Sequence, residues 1–179
     1  MAFSGASLPL FIVAFVLAST SPQAPAQAVG DARIIVEAES VAAGERVEVF
    51  QHGLMVEPAL LARAEAAAVQ IEALLGRPLD TPRLGSRIKL YVSTSVTISH
   101  VWRGYDQPAD PRAIVLLNPR AYRGAMAGTD ATFVHEMTHL FAWRFRSHTL
   151  REGLADHIAM VLLPGAGVGP NREGHREAA

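Results

Sequence analysis

The residues able to do chemistry lie close together. His135-Glu136-Met137-Thr138-His139 places two imidazoles four residues apart with a carboxylate between them. On a helix, residues i and i+4 stand one above the other, so both rings can point a nitrogen at one ion about 2.0–2.1 Å away. Glu136 is rotated roughly 100° from His135, which sets its carboxylate beside such an ion rather than on it. There it can take a proton from a metal-activated water. The chain contains no cysteine. Disulfides, thiolate ligands and cysteine nucleophiles are therefore excluded, and a metal must be held by His, Asp or Glu. The plain alternative for His135 and His139 is a pair of core histidines satisfied by hydrogen bonds.

The motif needs a helix to carry it. From Thr129 to Phe145 the apolar residues Phe133, Val134, Met137, Leu140 and Phe141 recur at helical spacing, without Pro or Gly. A second helix is predicted over Leu150–Leu163, with Ser147, His148 and Thr149 as the turn between the two. Upstream, Glu57 to Leu75 reads as an amphipathic helix through Leu60, Leu61, Ala64, Ala68, Ile71, Leu74 and Leu75, with Gly76 as its stop signal. Ile88, Leu90 and Val92 alternate with polar neighbours as a half-buried strand does, and Ala113 to Leu117 is a continuously apolar strand. Residues 104–111 between them read as a loop. Two segments, Arg33 to Ala38 and Arg46 to Gln51, flank Ala43-Gly44-Glu45 and predict a hairpin.

A zinc held by two histidines takes a third protein ligand and, in a catalytic site, leaves a position open for water. Arg151-Glu152-Gly153-Leu154-Ala155-Asp156 resembles the third-ligand segment of gluzincin peptidases, including the small peptidase MA-like domains. The metzincin pattern is absent, since Ala142 and Phe145 stand where it needs Gly and His, and an aspzincin would have only Asp156 to offer. The resemblance covers about residues 129–163 and implies one zinc per chain with His135, His139 and Glu152 as ligands. It also implies that Asp156 orients a zinc-bound histidine through its other ring nitrogen. A competing role for Glu152 is a capping box with Thr149 as N-cap. Asp156 has its own plain alternative as a surface acid. The remaining histidines, at 52, 100, 148, 157 and 175, have no partner at ligand spacing.

These features imply an α+β, zincin-like fold: a small mixed sheet, a supporting helix, the active-site helix and a following third-ligand helix. The expected activity is hydrolysis of peptide bonds, with Glu136 as general base and a peptide lying along the exposed edge of the strand Ala113–Leu117. Tyr105 or Tyr122 is the candidate for stabilising the oxyanion. The alternative is a non-catalytic, zinc-stabilised extracytoplasmic binding domain.

Composition sets the frame. A chain of 179 residues with 50% hydrophobic residues and a formal net charge of −1 fits one domain with a sizeable core. Lys89 is its only lysine and no basic run is present, which argues against a nucleic-acid partner. The apolar stretch Leu8–Ala18, followed by Ala26-Gln27-Ala28, reads as a signal peptide over residues 1–28. It is about half the roughly 20 residues a spanning helix needs, so no stable membrane span is expected after cleavage. The expected organisation is an exported, periplasmic or secreted domain over 29–163 and a flexible tail over 164–179. A peptide or protein is the expected partner.

Overall fold

The computed structural model describes residues 23–102 and 112–168, with side chains from residue 30 onward. The chain is a mixed α+β fold with a five-stranded sheet in the order β1-β2-β3-β5-β4. Its strands are β1 (Glu39–Ala43), β2 (Val47–His52), β3 (Ile88–Ser93), β4 (His100–Val101) and β5 (Ile114–Leu117). β2, β3 and β5 run parallel to one another, while β1 and β4 pair antiparallel at the two edges. Its helices are α1 (Gln23–Glu37), α2 (Ala59–Leu75), α3 (Thr81–Leu84), α4 (Pro119–Ala127), α5 (Thr132–Phe141) and α6 (His148–Leu162).

Helices cover both faces of the sheet, and the side-chain period of two sorts residues between them. Val115 and Leu117 of β5, with Leu90 and Val92 of β3, enter the main core with Leu60 and Ile71 of α2 and Met137 and Leu140 of α5. Ile114, Leu116 and Tyr91 point the other way and pack with Ile34 of α1 and Val96. This explains the unbroken apolar run over Ala113–Leu117, because a central strand covered on both faces has no polar side. It also corrects the expected position of the substrate edge. β5 lies between β3 and β4, so among the described residues the sheet edge on this side belongs to β4.

Two boundaries differ from expectation. Residues 33–37 form the end of α1, where Arg33 bonds Glu37 one turn on at 2.8 Å, and the hairpin partner of β2 is Glu39–Ala43. The helix wins because only Ile34 has to be buried, whereas Val36 is 83% exposed. The chain also remains folded beyond Leu163. The amide of Ala131 donates to the carbonyl of Gly167 at 2.8 Å, and that of Gly167 donates to Thr129 at 3.1 Å. The start of the expected tail is thus tied to the entrance of α5. Within α2, Leu74 is half exposed although it fits the apolar period. α1 spans the expected cleavage point after Ala28, and Asp31 and Ile34 beyond it are buried.

Candidate metal centre

α5 is shorter than the apolar period suggests. Asp130 stops it upstream: its Oδ1 accepts from the amide and hydroxyl of Thr132 at 2.8 and 2.5 Å, which terminates the helix with a buried side chain. Gly124 of α4 makes room for this carboxylate, since an added Cβ there would collide with the Cβ of Asp130. The downstream end falls at Phe141, and a turn of a few residues leads to α6. α6 starts at His148 with Ser147 as its N-cap, the Ser147 hydroxyl accepting from the amide of Leu150 at 3.3 Å. Thr149 therefore lies inside the helix and the capping-box role for Glu152 does not hold. The Glu152 carboxylate turns towards the histidines instead.

The structure brings His135, His139 and Glu152 together. The two Nε2 atoms are 3.2 Å apart. Oε2 of Glu152 is 3.4 Å from Nε2 of His135, and Oε1 is 3.6 Å from Nε2 of His139. Donor atoms about 2.0–2.1 Å from a tetrahedral zinc lie roughly 3.3–3.4 Å from one another. The observed spacings bracket that edge length, and the three donors form a group able to hold a metal ion. The rings stand edge to face with centroids 4.8 Å apart, so each aims one nitrogen at a common point rather than stacking.

Electrostatics favour ligand-ready imidazoles. Burial, and then the charge His135 would carry beside it, depress His139 to about 4, so its ring is neutral at pH 7. Nδ1 of His135 lies 2.8 Å from Oδ1 of Asp156. That carboxylate sits off the line of an N–H bond, leaving this buried nitrogen without an aligned hydrogen bond. The contact places Asp156 on the far side of the His135 ring from Glu152. It assigns Nε2 as the nitrogen left for a metal.

Glu136 is buried at 8% exposure. Desolvation, with the neighbouring Glu152 carboxylate adding to it, pushes its carboxyl up to about 8. Its side chain lines a cavity of about 610 Å³ together with His135, Glu152 and Asp156. Thr97, Ile98 and Ser99 ahead of β4 and the first turns of α4 line it as well. Asn118 joins these parts: its Oδ1 caps α4 by accepting from Ala121 at 2.8 Å, and its Nδ2 donates to the carbonyl of Thr97 at 3.0 Å.

Other candidates fall elsewhere. The Tyr122 hydroxyl accepts from the amide of Glu57 at 2.9 Å and is committed to the start of α2. Tyr105 lies outside the described residues. His157 is exposed on α6. His148 approaches Oε1 of Glu152 with its Nδ1 at 3.2 Å, an i,i+4 neighbour that the spacing of the two residues could have indicated. Sequence reasoning also missed α4 and Asp130, although Asn118-Pro119 followed by Gly128 carries start and stop signals for a helix. No protein family, curated protein or solved structure matches the chain in comparisons with known proteins.

Proposed function

We propose that the chain is a zinc metallopeptidase of the gluzincin type with a zincin-like fold, holding one zinc through His135, His139 and Glu152. The observation that carries this reading is the spacing of the three donor atoms, drawn from two helices and matching a tetrahedral edge beside a cavity lined by Glu136. When bound, zinc supplies a Lewis acid and brings the pKa of a coordinated water towards about 7.

The chain's own residues do the rest. Glu136 accepts the proton of the attacking water and passes it to the leaving amine as the C–N bond breaks. Asp156 orients His135. The cavity beside Thr97–Ser99 accommodates an extended backbone, with strand pairing at the β4 edge as the means of holding it. Export is supported by the apolar segment Leu8–Ala18 and by Ala26 and Ala28; cleavage there leaves Asp31 and Ile34 in place. Among the described residues no helix is long and apolar enough to cross a membrane.

The test combines elemental analysis with cleavage of a quenched fluorescent peptide library. Wild type should carry about one zinc per chain and turn over. Glu152→Ala should lose most of the metal, and Glu136→Gln should keep it while turnover falls by roughly 10²–10⁴-fold. Bound zinc with turnover unaffected by Glu136→Gln, or with no turnover in wild type, would favour the non-catalytic zinc-stabilised binding domain.

A further inference from the structure

The cavity beside the metal centre is lined by side chains of both charges. Its acidic side chains are Asp130, Glu136, Glu152 and Asp156. Each already has a place: Asp130 on Thr132, Asp156 against His135, Glu152 against both histidines, and Glu136 buried. Arg120 and Arg123 of α4 also line the cavity. They are three residues apart and so share one face of the helix. Between them Ala121 and Tyr122 turn into the core. Both arginines are exposed, and neither has an ion-pair or hydrogen-bond partner among the described residues. Other arginines of the chain are drawn into pairs, among them Arg33 with Glu37 and Arg144 with Asp80.

Guanidinium groups carry forked donors that match a carboxylate. We propose that Arg120 and Arg123 form a carboxylate-recognition subsite, and that the preferred substrate is a peptide bearing a negative charge within a residue or two of the scissile bond. The word substrate rests on the hydrolase reading above; the subsite itself does not. The charge comes from an Asp or Glu side chain or from a free C-terminal carboxylate, and both present the same group.

The test separates binding from turnover. Labelled hexapeptides carrying one Asp, or Asn in its place, each with a free or amidated C-terminus, are titrated by fluorescence anisotropy against the full zinc-loaded Glu136→Gln protein. Turnover of the same peptides is measured with wild type. The charged peptides should bind about tenfold more tightly than the doubly neutral one, the scale expected of exposed charge pairs acting together. That ratio should approach one in Arg120→Gln/Arg123→Gln and shrink at high salt. Arg120→Glu/Arg123→Glu should instead prefer a Lys-containing peptide. Arg87→Gln, an exposed position outside this cavity, should keep the wild-type ratio. Whichever replacement removes the preference, Asn for Asp or amide for acid, identifies the source of the carboxylate. Equal binding of charged and neutral peptides, a preference that survives the double Gln variant, or no binding of any of them at millimolar concentration overturns the proposal. A charge preference without turnover in wild type refutes the hydrolase reading and leaves the subsite standing; turnover without a preference does the reverse.

Discussion

Replacing Glu136 by Gln in the metal-free protein should raise its stability near neutral pH. Burial, helped by the Glu152 carboxylate, lifts this carboxyl from 4.5 to about 8. Between those values the folded chain holds a proton that the unfolded chain releases, so stability falls as pH rises through that window. At pH 7 the proton difference is worth on the order of 3 kcal/mol, and the Gln amide removes it. His139 contributes with the opposite trend. Burial, and then His135 beside it, holds its ring at about 4 rather than 6.5, so its contribution is lost as pH falls through that range. From about pH 4.5 to 6.5 the two trends nearly cancel in wild type, and above 6.5 the fall due to Glu136 continues alone. The variant should instead gain stability up to about pH 6.5 and then level off. For a domain of this size the gap at pH 7 corresponds to a melting temperature roughly 5–10 °C higher, narrowing towards pH 5. Thermal melts in chelator from pH 5 to 8 measure it. Parallel pH profiles for the two proteins, or a variant that melts lower than wild type at pH 7, would refute the account of a desolvated carboxylate.

Asp156→Asn keeps the size of the side chain but removes the charge that orients His135 through Nδ1 at 2.8 Å. Zinc affinity, measured by competition with a chromophoric chelator, should fall about 10- to 100-fold with little change in metal-free stability. Gly124→Ala sets a Cβ against the Asp130 side chain that terminates α5. Because Asp130 is buried and fixed by Thr132, the strain should cost about 1–3 kcal/mol in urea unfolding and weaken metal binding as α5 shifts. An unchanged unfolding midpoint would show that Asp130 can move aside freely.

Local signals predicted the elements near the site with good fidelity. Met137 and Leu140 sit on the buried face of α5 as their period implies, Gly76 ends α2 in a left-handed conformation, and the short link after His139 makes a tight helix–turn–helix. The signals failed where two local readings were both available. The alternation in residues 33–38 suits a strand as well as a helix end, and docking of Ile34 beneath Tyr91 and Ile114 chose the helix. Thr149 and Ser147 both suit an N-cap, and the chain's path out of α5 chose Ser147. The apolar run in β5 is compatible with an edge or a centre. β4 settles it by pairing along its free side, a contact that no local pattern in either segment announces.

The sequence by itself determined which residues can bind a metal. Imidazoles four apart on a helix share a face whatever surrounds them, and without cysteine no other soft donor competes. It also determined the apolar periods that bury that helix. Glu152 and Asp156 were indicated only by resemblance, and the tertiary structure set their distances, with Glu152 3.4 and 3.6 Å from the two ring nitrogens and Asp156 2.8 Å from His135, and gave Tyr122 to α2. It also brought Arg120 and Arg123 into one cavity with four carboxylates and desolvated Glu136. The division has a physical cause. Helical spacing is fixed by backbone geometry over a few residues, whereas distances between helices, loss of water and the field inside a cavity arise only when distant segments pack together.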